Sequence, residues 1–98
     1  MHVVVMVPAS LRQFSEGERQ VRVDCPDAAT VGEVFERLHA CHPGIVERAL
    51  DEQGQVRPHV NIFVDGQSTR AGSRLGLQTP VRAGAEVWIL PAVSGGSG

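Results

Sequence analysis

The chain has 98 residues, enough for one domain and one hydrophobic core. Hydrophobic residues make up 42% and charged residues 20%, a globular balance that excludes an intrinsically disordered chain. Eleven acidic residues against nine basic ones leave a net charge of −2, which gives no electrostatic footing for nucleic acid or an anionic membrane as partner.

Residues 2–7, His-Val-Val-Val-Met-Val, form an apolar, β-branched run that reads as a strand. The opening has no basic region and no small-residue cleavage site, so it does not read as a signal peptide. No apolar run approaches the ~20 residues that a membrane helix needs, and the cytoplasm is the default expectation. Residues 10–17 are polar and irregular, with Leu11 and Phe14 as anchors beneath them. Residues 20–24 alternate polar and apolar, the period of a half-buried strand, and close an N-terminal hairpin. Cys25 and Cys41, in a chain without an export signal, read as free thiols.

A helix is predicted from Thr30. Thr30 and Glu33 stand in capping-box spacing, and Val31, Val34, Phe35, Leu38 and Cys41 follow along one face. Pro43 and Gly44 read as its end, with a short helical turn after them over 45–50. Residues 51–57 read as a loop. Residues 60–64 form a strand that ends in Asp65-Gly66, a two-residue hairpin signal with its return over 68–70. Gly84 and Ala85 turn the chain into a last strand over 86–90, which Pro91 ends as a ladder participant. This order predicts an α+β domain over residues 1–91, with a mixed sheet packed on one main helix, and a flexible tail over 92–98.

Alternation then divides the sheet into two faces. With Val60, Ile62, Val64, Val87 and Ile89 turned toward the helix, Phe63, Trp88 and Leu90 point away from it. An apolar patch on an open face marks a binding surface. The opposite register, or cover from Leu11 and Phe14, would bury it instead.

Beyond the last strand come Pro91-Ala92-Val93-Ser94-Gly95-Gly96-Ser97-Gly98, where Val93 alone is core-forming. Seven residues from Ala92 extend roughly 23–25 Å. Glycines at the tip let the backbone thread a channel too narrow for any side chain. Taken alone, such a tail is also ordinary linker composition. Residues 57–66 (RPHVNIFVDG) and 83–96 (AGAEVWILPAVSGG) make it more specific. The chain resembles the MoaD/ThiS family of ubiquitin-like sulfur carriers, and within it the CysO-type carriers. Its ending follows the family pattern G-x-E-V-x-ϕ-ϕ-P-x-V-[ST]-G-G at every defined position, ϕ being apolar. The specific match spans roughly the last two-fifths of the chain, and the order of elements matches the family's β-grasp, or ubiquitin-like, fold.

The resemblance implies a protein cosubstrate rather than an enzyme. The carboxylate of Gly96, following Gly95, would be adenylated by a separate E1-like enzyme that uses ATP, the carrier itself binding no cofactor. Sulfur would then replace AMP, giving a thiocarboxylate. Phe63, Trp88 and Leu90, with Val93 and Ser94 of the ending, would contact partners. The sulfur acceptor would be a biosynthetic enzyme, cysteine synthase-like or similar, serving cysteine, molybdopterin, thiamin or a secondary metabolite. The family pattern stops at Gly96, so Ser97 and Gly98 are removed by a protease (a JAMM-type metallopeptidase in some relatives), are artificial additions, or leave Gly98 as the activated residue.

Other chemistry is weakly supported. His39, Cys41 and His42 cluster at the helix end but lack the spacing of a zinc site, so no metal is expected. Two cysteines exclude a four-cysteine iron–sulfur cluster. No P-loop or dinucleotide fingerprint occurs. The competing reading is a ubiquitin-like interaction module with an inert tail. A small enzyme built on Cys25 or Cys41 ranks below both, because the sequence positions no base beside either.

Overall fold

The computed structural model of the chain describes residues 1–69 and 76–91. Strand β1 (His2–Met6) runs antiparallel to β2 (Gln20–Asp24), with Val4 opposite Arg22 and Met6 opposite Gln20. The segment between them, read from sequence as irregular, holds a 3₁₀ turn over Ala9–Phe14 that buries Leu11. Helix α1 (Val31–Cys41) starts at the expected capping box. The Glu33 backbone N–H donates to the Thr30 hydroxyl at 3.3 Å, and the Thr30 backbone N–H donates to the Glu33 carboxylate at 3.0 Å. Two otherwise orphan donors are thereby satisfied.

Two sequence expectations are corrected around the helix end. Val31, Val34, Phe35 and Leu38 are buried, but Cys41 is exposed. By angle it lies at the edge of that stripe, about 20° past Val34 at 100° per residue, but it is the last residue of α1, a turn beyond the buried Leu38. Pro43 and Gly44 do not merely end α1; they open a second helix, α2 (Pro43–Ala49), with proline in its first turn, where its missing N–H costs nothing. Gly44 is needed there, since a Cβ would lie 2.7 Å from the Phe14 ring.

Strands β3 (Val60–Val64) and β4 (Gln67–Ser68) flank the Asp65-Gly66 turn. Both turn residues have positive φ, 49° and 87°, the signature of a type I′ hairpin. The turn puts Gln67 directly opposite Val64, so the return strand begins one residue earlier than expected. Arg70, the expected end of that strand, lies outside the described residues. The last strand, β5 (Glu86–Pro91), enters the middle of the sheet, parallel to β1 and antiparallel to β3. The order β2-β1-β5-β3-β4, with both helices on one side, is the β-grasp arrangement. The core lies between them. Val3, Val5, Val60, Ile62, Val87 and Ile89 meet Val31, Val34, Phe35, Leu38 and Ile45, all of them at most 1% exposed.

Candidate functional site

The sheet's other face has no helix over it among the described residues. Its side chains follow from register, because residues paired across a ladder point the same way. Trp88 on β5 stands opposite Phe63 on β3 and Met6 on β1, and Met6 in turn stands opposite Gln20 on β2. One row thus carries two aromatic rings and a thioether across three strands. Val4, paired with Glu86, and Leu90, paired with Asn61, occupy neighbouring rows. Leu90 is 38% exposed, the most open of the large apolar side chains among the described residues; Val4, Met6, Phe63 and Trp88 are half-buried.

The expected register is therefore present, and neither alternative that would hide the patch is. Phe14 packs on the helical side, its ring 4.4 Å from the Arg48 guanidinium carbon, and Leu11 belongs to the core. Polar groups rim the patch. The Trp88 indole N–H donates to the Glu86 carboxylate at 3.2 Å, which holds the ring along its own strand. Arg22 donates from Nη2 to Nε2 of His2 at 3.2 Å. At the hairpin, Asp65 accepts from the Glu86 backbone N–H at 3.0 Å and pairs with Arg82 at 3.8 Å. An apolar centre with a charged margin is the composition of a protein-docking surface.

Val4 and Met6 were missed by sequence reasoning. Their strand is apolar on both faces, so alternation is invisible there. The usable signal was the run itself, since a strand apolar on both faces sits in the middle of a sheet.

Strand β5, which carries Trp88 and Leu90, is also the strand from which the tail continues. Gly95 and Gly96, the expected carboxyl end, and Val93 and Ser94 lie outside the described residues. Of the two thiols, Cys41 is exposed. Cys25 is buried, its Sγ donating to the Val23 carbonyl at 3.7 Å, and burial pushes its pKa up, away from the reactive thiolate. No cluster of three or more His, Cys, Asp or Glu side chains suited to a metal occurs among the described residues. No helix among them is long and apolar enough to cross a membrane.

Comparison with known proteins places this geometry. Residues 5–96 match the model of the ThiS family. The chain is 37% identical to the sulfur carrier protein CysO of Mycobacterium tuberculosis over 98 residues, covering 98% of this chain and 100% of that one. It is 34% identical over 80 residues to small archaeal modifier protein 1 of Haloferax volcanii, covering 82% and 85% of the two chains. Its fold is similar to a chain in the crystal structure of an Amycolatopsis orientalis BexX/CysO complex, with a TM-score of 0.83 and 33% identity over 96% of this chain and 99% of that one.

Proposed function

The chain belongs to the ThiS family, the ubiquitin-like sulfur carriers, and from that premise we propose that Gly96 is the residue that carries the sulfur. A terminal carboxylate, with a pKa near 3.5, is ionised at neutral pH. Its oxygen attacks the α-phosphorus of ATP in a separate E1-like enzyme, and pyrophosphate leaves. Sulfide then attacks the carbonyl carbon of the mixed anhydride, and AMP leaves; where a persulfide attacks instead, the acyl disulfide it forms is cleaved by a thiol, which takes the outer sulfur into a disulfide and releases the acyl-bound one. The product is a thiocarboxylate that a cysteine synthase-like or related biosynthetic enzyme consumes. The carrier binds no cofactor of its own in this scheme. It supplies the acyl group and the surface by which partners hold it, and its partners supply catalysis.

The observation that carries this reading is where the family match ends: it runs through Gly96, leaving Ser97 and Gly98 beyond it. The open face supports it independently, because a partner gripping Trp88 and Leu90 already holds the strand from which the tail continues. Removal of Ser97 and Gly98 by a JAMM-type peptidase would complete the carrier. A chain ending at Gly96 should be adenylated by a cognate E1-like enzyme with ATP, and intact mass spectrometry should show oxygen replaced by sulfur once sulfide is added. Deleting Gly95 and Gly96 should abolish both. Thiocarboxylation of the full chain at Gly98, without trimming, would overturn the assignment to Gly96. Failure of every such enzyme to adenylate the trimmed chain would return the molecule to an interaction module with an inert tail.

A further inference from the structure

A groove runs over the helical side of the molecule, between α1, α2 and residues 51–57. Two adjoining hollows of about 390 and 260 Å³ make it, sharing His39, Val46, Leu50 and Gly54 as a common wall. Phe35, Val46, Leu50 and Leu77 give it an apolar floor; the first two are almost wholly buried and the others half-buried. None of its lining residues belongs to the sheet.

The wall that follows α2 is held by its own hydrogen bonds. Leu50 and Val56 form an antiparallel bridge, and the Asp51 N–H donates to the Gln55 carbonyl at 2.8 Å. One Asp51 carboxylate oxygen accepts from the Gln53 and Gln55 N–H groups, both at 2.9 Å. Arg57 closes the turn. Its N–H donates to the Ala49 carbonyl at 3.0 Å, and its guanidinium donates to the Glu47 carbonyl at 3.1 and 3.2 Å. The groove therefore exists before anything enters it, which lowers the ordering cost of binding. Its margin is acidic: Glu36, Glu47, Asp51 and Glu52 line it against His39 and Arg57. Among the described residues, no basic side chain comes within ion-pair distance of Glu36, Glu47 or Glu52.

We propose that this groove is a second docking site, and that it takes a basic amphipathic helix of a partner protein, with apolar side chains flanked by arginine or lysine. The floor removes the apolar anchors from water, and the carboxylates meet the cations at the margin. Two hollows in series suit two successive anchors on one face of such a helix. Nucleic acid is repelled by the same carboxylates. The site does not depend on Gly96 carrying sulfur. A protein bound there leaves Trp88, Leu90 and the strand leading to the tail uncovered, so one copy of the chain can be held on both sides at once.

The probe is a short amphipathic helical peptide of leucine and arginine, titrated into the full 98-residue chain labelled with nitrogen-15. Its twin with glutamate in place of arginine is the control. The arginine peptide should shift the amide resonances of Val46, Leu50, Gly54 and Leu77 and leave the Trp88 indole resonance in place. The glutamate peptide should shift none of them. Glu47→Arg combined with Glu52→Arg, both at exposed positions, should weaken the arginine peptide about tenfold and let the glutamate peptide bind. Affinity for the arginine peptide should also fall as salt rises. Shifts centred on Trp88 and Phe63, equal binding of the two peptides, or no binding tighter than about 1 mM would overturn the proposal. So would a double variant that binds as its parent does. Shifts at the groove that grow with protein concentration alone would overturn it too, because a second copy of the chain would then be its occupant.

Discussion

The two faces of the sheet are built from the same strands and even from similar residues, yet they do different work. On one, Val3, Val5, Val60, Ile62, Val87 and Ile89 are at most 1% exposed beneath α1 and α2. On the other, Val4, Met6, Phe63 and Trp88 are half-buried and Leu90 is exposed, with polar groups around them. Hydrophobicity does not separate the faces, because both are apolar at the centre. Cover separates them. The inner face is complete within the chain, while the outer one is apolar surface that a second protein can finish.

Breaking the inner face should have the largest effect. Phe35→Ala and Leu38→Ala each remove a side chain that is 1% exposed, and should cost about 3–5 and 2–5 kcal/mol in urea unfolding. A loss below about 1 kcal/mol for either would contradict a core centred on α1. On the outer face the same kind of truncation should leave stability near wild type and strike binding instead. Trp88→Ala should weaken binding to an E1-like adenylating enzyme by about 2 kcal/mol, roughly thirtyfold, as titration calorimetry would read it. Wild-type affinity in that variant, or a collapse of its fold, would erase the proposed division between the faces.

Two smaller effects sharpen the comparison. Thr30→Ala removes the hydroxyl that caps the covering helix and should cost about 1 kcal/mol, the open face keeping its affinity. The smallest effect is a pH dependence seated at Cys25. Burial raises its pKa, so the folded chain keeps a proton that the unfolded chain releases at alkaline pH. Unfolding then releases that proton, and stability falls as pH rises from about 8.5 upward. The urea midpoint should therefore decline more steeply in the wild type than in Cys25→Ala between pH 8 and 10. Parallel curves would show that the thiol does not contribute.

Much of this division was legible in the residues. Alternation in β3 and β5 placed Phe63, Trp88 and Leu90 on the outer face, and Thr30 with Glu33 fixed where α1 begins. What escaped reading were features decided by neighbours rather than by local pattern. Pro43 serves equally as a stop signal and as a helix opener, and it opens α2, where Gly44 lies against Phe14. Cys41 fits the periodicity, about 20° past Val34, yet as the last residue of α1 it is exposed, which spacing alone does not resolve. The partners of β1 depend on a parallel pairing with a strand some eighty residues later, from Val4–Glu86 to Met6–Trp88, and no local signal encodes it. The ending was legible as a family motif rather than as physics, since glycine and serine there suit a linker equally well.

The central position of β5 also has a mechanical consequence. A partner that draws the tail into a channel pulls along the axis of a strand flanked by β1 on one side and β3 on the other. The load falls in shear, so the ladder bonds on both sides resist together rather than parting one after another. A tail continuing from an edge strand such as β2 or β4 would let its strand peel away under the same force. Here the terminus can be drawn taut while the domain that carries it stays folded.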